Sequence, residues 1–536
     1  MMKRTLLIAT LGLATLGTGL HLSPSRKPAP LDSRPSAANP HESLLPREVS
    51  VAPEPASVEP HSTFTISAPT GVLDPRAIAA ITKLAAGQAV VLTLPDGTTR
   101  RGIVHCVRHE EDGWVRSGGA LADGGSFALS ARDGAAAGLI QFPREGRAWQ
   151  LRRAESGAFT FIERRLDDVL CLGLPRRERE VQPVVEPDAN AAVPLFDSRP
   201  TATAVLYLDF DGATITDPYW DNGNTIVAPR ARLTPKQILK VCGHVAGDYA
   251  SFDIDISTDA ARYASTAIGH RMRAIITRND AAAPGAGGVA YVDSFAHDPQ
   301  DGFSADIPCW VFEDFAVDSC AEALSHELGH TLGLNHDGRD FPSGGHEEYY
   351  AGQGGGATGW APIMGVSYYR RLSQWSKGEY KFANNQEDDV AIIAGAKNAF
   401  GFIPDEAGGT TGTAANLAVS GPIVNQPGVI KNAQDIDVFK FTTNDGKLSV
   451  RAKPGGPEGN IDLLLELLDG SGTVVKANNP KGGLAASLQR HLAAGTYYLR
   501  VSGTGKGDPL RTGYTNYGSI GAYRVVGKIN GLPAAP

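Results

Sequence analysis

The segment Ser325–Asp337 reads S-H-E-L-G-H-T-L-G-L-N-H-D, and its spacing constrains the chain more tightly than any other feature. His326 and His330 are four residues apart. On a helix both imidazoles therefore lie on one face, one turn apart, within reach of a single metal ion. Glu327 follows the first histidine and is placed to take a proton from a water on that metal. Gly333 can adopt the left-handed backbone that ends a helix, which lets His336 swing in as a third ligand. An ordinary amphipathic helix over 318–334 accounts for Leu324, Leu328, Leu332 and Leu334. It does not account for a glutamate and three histidines set around a helix-ending glycine.

The full pattern H-E-x-x-H-x-x-G-x-x-H resembles the zinc-binding signature of the metzincin metalloproteases at every defining position. Asp337, directly after the third histidine, resembles the adamalysin or reprolysin-like variant, where this aspartate is structural. The resemblance implies one catalytic Zn2+ held by His326, His330 and His336, with the fourth position open to water. Three neutral imidazoles leave the full metal charge, which would bring the water's pKa towards about 7. Glu327 is then the general base, and passes its proton to the leaving amine of a protein or peptide substrate. In A-P-I-M-G at 361–365, Met364 resembles the methionine turn beneath the metal, a packing role because a thioether is a poor zinc ligand. Some metzincins add a tyrosine ligand two residues after that methionine. Here the position is Val366, with Tyr368 four after Met364, so no tyrosine ligand is assigned. His244, His297 and His346 are read as packing or surface residues.

A chain of 536 residues is too long for one core, and two to four domains are expected. The basic start and apolar run at the N-terminus read as a secretory signal peptide over 1–23, with export to the extracellular space or periplasm. No later stretch is long and apolar enough to span a bilayer, so no stable membrane insertion is expected after its removal. A net charge of -8 without a long basic block argues against nucleic acid as a partner. Residues 24–62 read as a disordered linker. Short alternating runs separated by glycine turns make 63–175 a β-rich propeptide, with an accessory binding domain as the competing reading. Residues 176–201 form a polar linker whose Arg176-Arg177 pair is a candidate processing site.

Residues 202–402 run strand, helix, strands and then the motif helix, the order of a metzincin catalytic domain. A helix opens at Thr234-Pro235, and another closes the unit over 385–395. From 403 to 536 short strands return, and D-I-D-V-F-K-F and A-G-T-Y-Y-L-R-V resemble the bacterial pre-peptidase C-terminal domain, a β-sandwich. Such a domain either binds substrate or serves folding and secretion passively. The expected class is α+β, a metzincin-like mixed sheet with a zinc helix. A β-rich N-terminal pro-region and a C-terminal all-β sandwich flank it.

Five cysteines is an odd number for an exported chain. Cys309 and Cys320 flank the turn into the motif helix, where a disulfide is geometrically possible. Cys171 ends the pro-region, and its thiolate could take the fourth zinc position and keep a zymogen latent. A buried cysteine, or a pair with Cys106, is the alternative. Asp209/Asp211 and Asp253/Asp255 raise Ca2+ as a second ion, but no EF-hand spacing supports it. The leading function is a secreted bacterial zinc endopeptidase. A catalytically inactive secreted binding or adhesion protein on the same fold is the alternative from another class, and intact Glu327 with all three histidines argues against it. A zinc hydrolase of non-peptide substrates comes third.

Overall fold

Alternation with period two governs the first part of the chain. In the computed structural model, residues 63–532 are described except 111, 172, 176–190, 297–305, 313–315, 457 and 458. The signal-peptide, 24–62 linker and paired-arginine readings, and His297, lie outside the described residues; of the 176–201 linker, 191–201 are described, and Val193 and Phe196 pack against the core. Strand β1 (Phe64–Ser67) is followed by helix α1 (Pro75–Ile81). Then come β2 (Ala89–Thr93), β3 (Thr99–His109), β4 (Val115–Leu121), β5 (Ser126–Arg132), β6 (Ala135–Phe142), β7 (Arg147–Arg153) and β8 (Phe159–Arg165). They form one eight-stranded sheet in sequence order, with β1 parallel to β2 and all later neighbours antiparallel. One face packs Phe127, Leu129, Ile140 and Leu151 onto Ile78 and Ile81 of α1. The other face carries the small residues Ala128, Ala137 and Ala148, which pack on Tyr219, Trp220 and Trp310 of the next region. Two covered faces explain why β5 and β6 are buried almost throughout instead of alternating.

The second region contains β9 (Leu174–Pro175), β10 (Ala204–Asp209), β11 (Ala213–Thr216), β12 (Thr225–Ala228), α2 (Pro235–Asp248), β13 (Ile254–Ser257) and α3 (Ala260–Ser265). After these come β14 (Arg271–Ile276), β15 (Ala286–Val289), β16 (Cys309–Val311) and α4 (Val317–Thr331). A six-stranded sheet has the order β13-β10-β14-β16-β15-β9. Its first four strands are parallel, and β15 and β9 run antiparallel at the far edge. Helix α2 starts as expected: Thr234 and Gln237 exchange hydrogen bonds in a capping box, with Pro235 in the first turn. The motif helix α4 is buried at every position from Ser319 to Thr331, so it is a central element, not an amphipathic surface helix.

Two short pairs follow, β17 (Arg339–Asp340) with β18 (His346–Glu347), and β19 (Trp360–Pro362) with β20 (Leu372–Gln374). Helix α5 (Asp389–Ile393) is shorter than the 385–395 expected, because Asp388 caps it by accepting from Ala391 N at 2.9 Å. The C-terminal strands between 415 and 529 form two five-stranded sheets. The mixed architecture with a β-rich C-terminal region agrees with the expected class. One continuous apolar core joins Leu324 and Leu328 of α4 to Leu463, Leu499 and Tyr523 of the C-terminal sheets. The change of topology near 403 is therefore not a break in the core.

Some expectations are corrected. Cys106, Cys171, Cys242, Cys309 and Cys320 are all buried and none is in a disulfide, so neither Cys309–Cys320 nor Cys106–Cys171 is bridged. Asp209 pairs with Arg273 at 2.5 Å, and Asp255 accepts from Arg199 N at 2.8 Å. Neither needs a cation. His244 is more than a packing residue, since it lies between two buried carboxylates. Among the described residues no helix is long and apolar enough to cross a membrane.

Asp437 sits fully buried in the C-terminal region and accepts the Tyr523 hydroxyl at 2.5 Å. Burial pushes its carboxyl up to about 8, with nearby Glu406 and Asp435 adding to the rise. Between the ordinary 3.8 and about 8 the folded chain holds a proton that the unfolded chain has released. Stability therefore falls as pH rises through that window, by up to about 1.4 kcal/mol per pH unit from this group. Asp437→Asn, which keeps an acceptor for Tyr523, should flatten that part of the slope in denaturant titrations at a series of pH values. An unchanged slope contradicts the assignment.

Candidate metal centre

Helix α4 ends where its sequence requires. Gly333 takes φ 105°, a left-handed conformation, and its N–H bonds back to His330 O at 2.9 Å. The chain then turns, and the Glu387 carboxylate holds Asn335 through its backbone N at 3.0 Å and its Nδ2 at 2.5 Å. This clamp delivers His336 to the face of α4 that carries His326 and His330. The ring centroid of His336 lies 5.4 Å from that of His326 and 4.7 Å from that of His330.

Each imidazole is fixed through Nδ1. His326 Nδ1 meets Ile363 O at 2.9 Å, His330 Nδ1 meets Leu334 O at 2.8 Å, and His336 Nδ1 meets Glu348 Oε1 at 2.5 Å. Oxygen acceptors at all three Nδ1 atoms select the tautomer with Nδ1 protonated and leave each Nε2 as a lone-pair donor. Burial holds the His326 imidazole down to about 3 and the His330 imidazole well below its usual range. Both are neutral, the state a metal needs.

A fourth donor comes from the N-terminal region. Residues 169–171 and 174–175 lie antiparallel along β15 and the residues after it: Cys171 N donates to Ala290 O at 3.0 Å, and Val292 N to Val169 O at 3.2 Å. Leu174 pairs with Gly288 and Pro175 with Ala286. This register carries Cys171 Sγ to 3.3 Å from His336 Nε2. One donor atom from each of Cys171, His326, His330 and His336 lies within 4.8 Å of all the others. The Nε2 atoms of His326 and His330 are 3.0 Å apart. A tetrahedral zinc site with ordinary bond lengths has donor–donor edges of roughly 3.3–3.6 Å, so the set fits that ion after small adjustment.

Glu327 is fully buried beside these donors, and among the described residues neither carboxylate oxygen meets an N–H or O–H donor. Burial pushes its carboxyl well above the usual range, and the Cys171 thiol works in the opposite direction. Gly288 makes the space: a Cβ there would lie 2.5 Å from Glu327 Oε1. Met364 is buried, and its carbonyl accepts from Asp337 N at 2.8 Å. Asp337 is itself buried, with Tyr380 Oη 3.3 Å from its Oδ1. Tyr368 is buried, and Val366 packs against the core.

Residues 249–337 match the family described as metallo-peptidase family M12B, reprolysin-like. The chain carries a reprolysin-like metallopeptidase segment. No curated protein matches the chain. Three solved structures share stretches with it. The pre-peptidase C-terminal domain of collagenase from Bacillus anthracis is 16% identical, with 23% of this chain and 98% of that one covered, at TM-score 0.16. The Yersinia pseudotuberculosis-derived mitogen is 15% identical over 20% and 87%, at TM-score 0.15. Metalloproteinase-II from Bacteroides fragilis is 10% identical over 52% and 90%, at TM-score 0.20.

Sequence reasoning missed three neighbours of the reprolysin-like site. Glu348 lies in a loop without periodicity, and nothing local marks it as the partner of His336. Tyr349, whose ring centroid is 4.4 Å from that of His336, was equally silent. Gly288 did leave a signal, since a glycine run inside a strand indicates close approach by another group. Zinc titration of the chelator-treated full chain, followed by calorimetry, should give about one tight site. His330→Ala should remove it. Tight binding retained by that variant contradicts the donor set.

Proposed function

We propose that the chain is an exported zinc endopeptidase of the metzincin type, made as a zymogen and held latent by Cys171. The observation that carries this reading is the convergence of three imidazoles beside a buried glutamate, within a segment that matches a metallopeptidase family. His326, His330 and His336 would hold Zn2+, with Met364 packed under them. Bound there, Zn2+ supplies a Lewis acid that polarises the scissile carbonyl and acidifies a water.

The protein's own groups do the rest. Glu327, buried and high in proton affinity, takes a proton from the attacking water and returns it to the leaving amine. Glu348 steadies His336 through Nδ1, and Gly288 keeps the space in front of Glu327 clear. The edge of β15 offers backbone hydrogen bonds to an extended peptide, and the segment around Cys171 now occupies part of that edge. With its Sγ 3.3 Å from His336 Nε2, the Cys171 thiol would keep a catalytic water away from the three imidazoles. Latency thus combines a blocked strand edge with a blocked coordination position. Intact Glu327 weighs against an inactive binding protein. Export rests on the apolar N-terminal run.

Two variants separate the roles. Glu327→Gln should bind zinc as the parent does and lose peptide hydrolysis by at least about 10²-fold. Cys171→Ser should raise hydrolysis of a peptide library by the uncleaved chain, and a chelator should abolish it. Full hydrolysis by Glu327→Gln, or no gain from Cys171→Ser, contradicts the corresponding half of the reading. Gly288→Ala, whose methyl group displaces Glu327, should lower kcat by about 10²-fold.

A further inference from the structure

A buried polar network lies behind the metal-binding helix and reaches the C-terminal region. Asp248, the last residue of α2, accepts the Ser325 hydroxyl on Oδ2 at 2.5 Å. Ser325 immediately precedes His326, and its carbonyl accepts the Tyr249 hydroxyl at 3.0 Å. The other oxygen of Asp248, Oδ1, accepts from Asn460 Nδ2. Asn460 belongs to the C-terminal region, three residues before the strand Leu463–Leu468. Its carbonyl is held in turn by Gln374 Nε2 at 2.6 Å, just after the Met364 turn. Asp248, Ser325, Asn460 and Gln374 are all buried.

Here the carboxylate is a bridge. One oxygen reaches the turn of α4 that presents His326 and Glu327, and the other reaches the sandwich. A buried carboxylate orients strongly to its donors because no water competes for it. We propose that the C-terminal sandwich is a working part of the catalytic unit, in which Asn460 acts through Asp248 and Ser325 as a positioning residue for His326 and Glu327. The inference rests on the peptidase reading above and deepens it. It also decides between the two roles left open for the sandwich: it is neither a passive tail nor only a substrate-binding module. Removal of the sandwich would strip Asp248 of a donor and open the shared core that joins Leu324 to Leu463 and Leu499.

The test uses the full-length chain. Asn460→Ala should keep about one Co2+ per chain but shift and broaden the d–d absorption of the bound ion. It should also speed hydrogen–deuterium exchange across residues 322–331 by about tenfold. Added to Cys171→Ser, Asn460→Ala should lower kcat for a peptide about tenfold or more with KM nearly unchanged. If Asn460→Ala does not fold, Gln374→Ala, which loosens only the grip on the Asn460 backbone, should give the same changes in weaker form. A lower melting temperature with an unaltered Co2+ spectrum, exchange pattern and kcat overturns the proposal. If the Cys171→Ser chain binds Co2+ but cleaves no peptide, the peptidase reading fails, while the spectrum and exchange still decide the positioning role.

Discussion

Two imidazoles on consecutive turns of a helix buried along nearly its whole length set the terms for everything around them. A buried imidazole must be neutral, and a neutral imidazole must have one nitrogen satisfied as a donor. Carbonyls of Ile363 and Leu334 meet that need for His326 and His330, and Glu348 meets it for His336. Each of these acceptors comes from the chain after α4. The turn at Gly333, the Glu387 clamp and the Met364 segment are thus consequences of placing histidines in the core. What remains unsatisfied is three inward lone pairs and the Glu327 carboxylate. A divalent cation answers the first and a water the second.

The N-terminal sheet complements that centre from outside. Its alanine-rich face covers Tyr219, Trp220 and Trp310, and the strand that leaves it finishes the open edge of β15. An unpaired edge strand is reactive towards any extended chain. Pairing it with Leu174 and Pro175 protects it and, in the same stroke, delivers the Cys171 thiol to the donor cluster. The C-terminal sheets do the reverse job behind α4, where the core runs through without a break.

Much of this was legible in local spacing. The four-residue separation of His326 and His330, the left-handed Gly333 and the Thr234 cap are all written within a turn or two of chain. Groups that meet by strand register were not legible. Cys171 could be named as a fourth donor from its place at the end of the pro-region, but the register that brings it to His336, with Leu174 opposite Gly288 more than a hundred positions away, could not be read. The Cys309–Cys320 disulfide that chain spacing allowed is absent for the opposite reason, since closeness along the chain says little about where two side chains point inside a core. Glu348 and Asn460 belong with Cys171. Each gains its meaning only from the element it is packed against.

The central claim is that one thiolate and three imidazoles share a single metal position in the uncleaved chain. X-ray absorption at the zinc edge of the full-length, zinc-loaded protein measures this directly. The account predicts a first shell fitted by about three nitrogen neighbours near 2.0–2.1 Å and one sulfur near 2.3 Å. A shell of nitrogen and oxygen alone, with Cys171 intact and reduced, would contradict it.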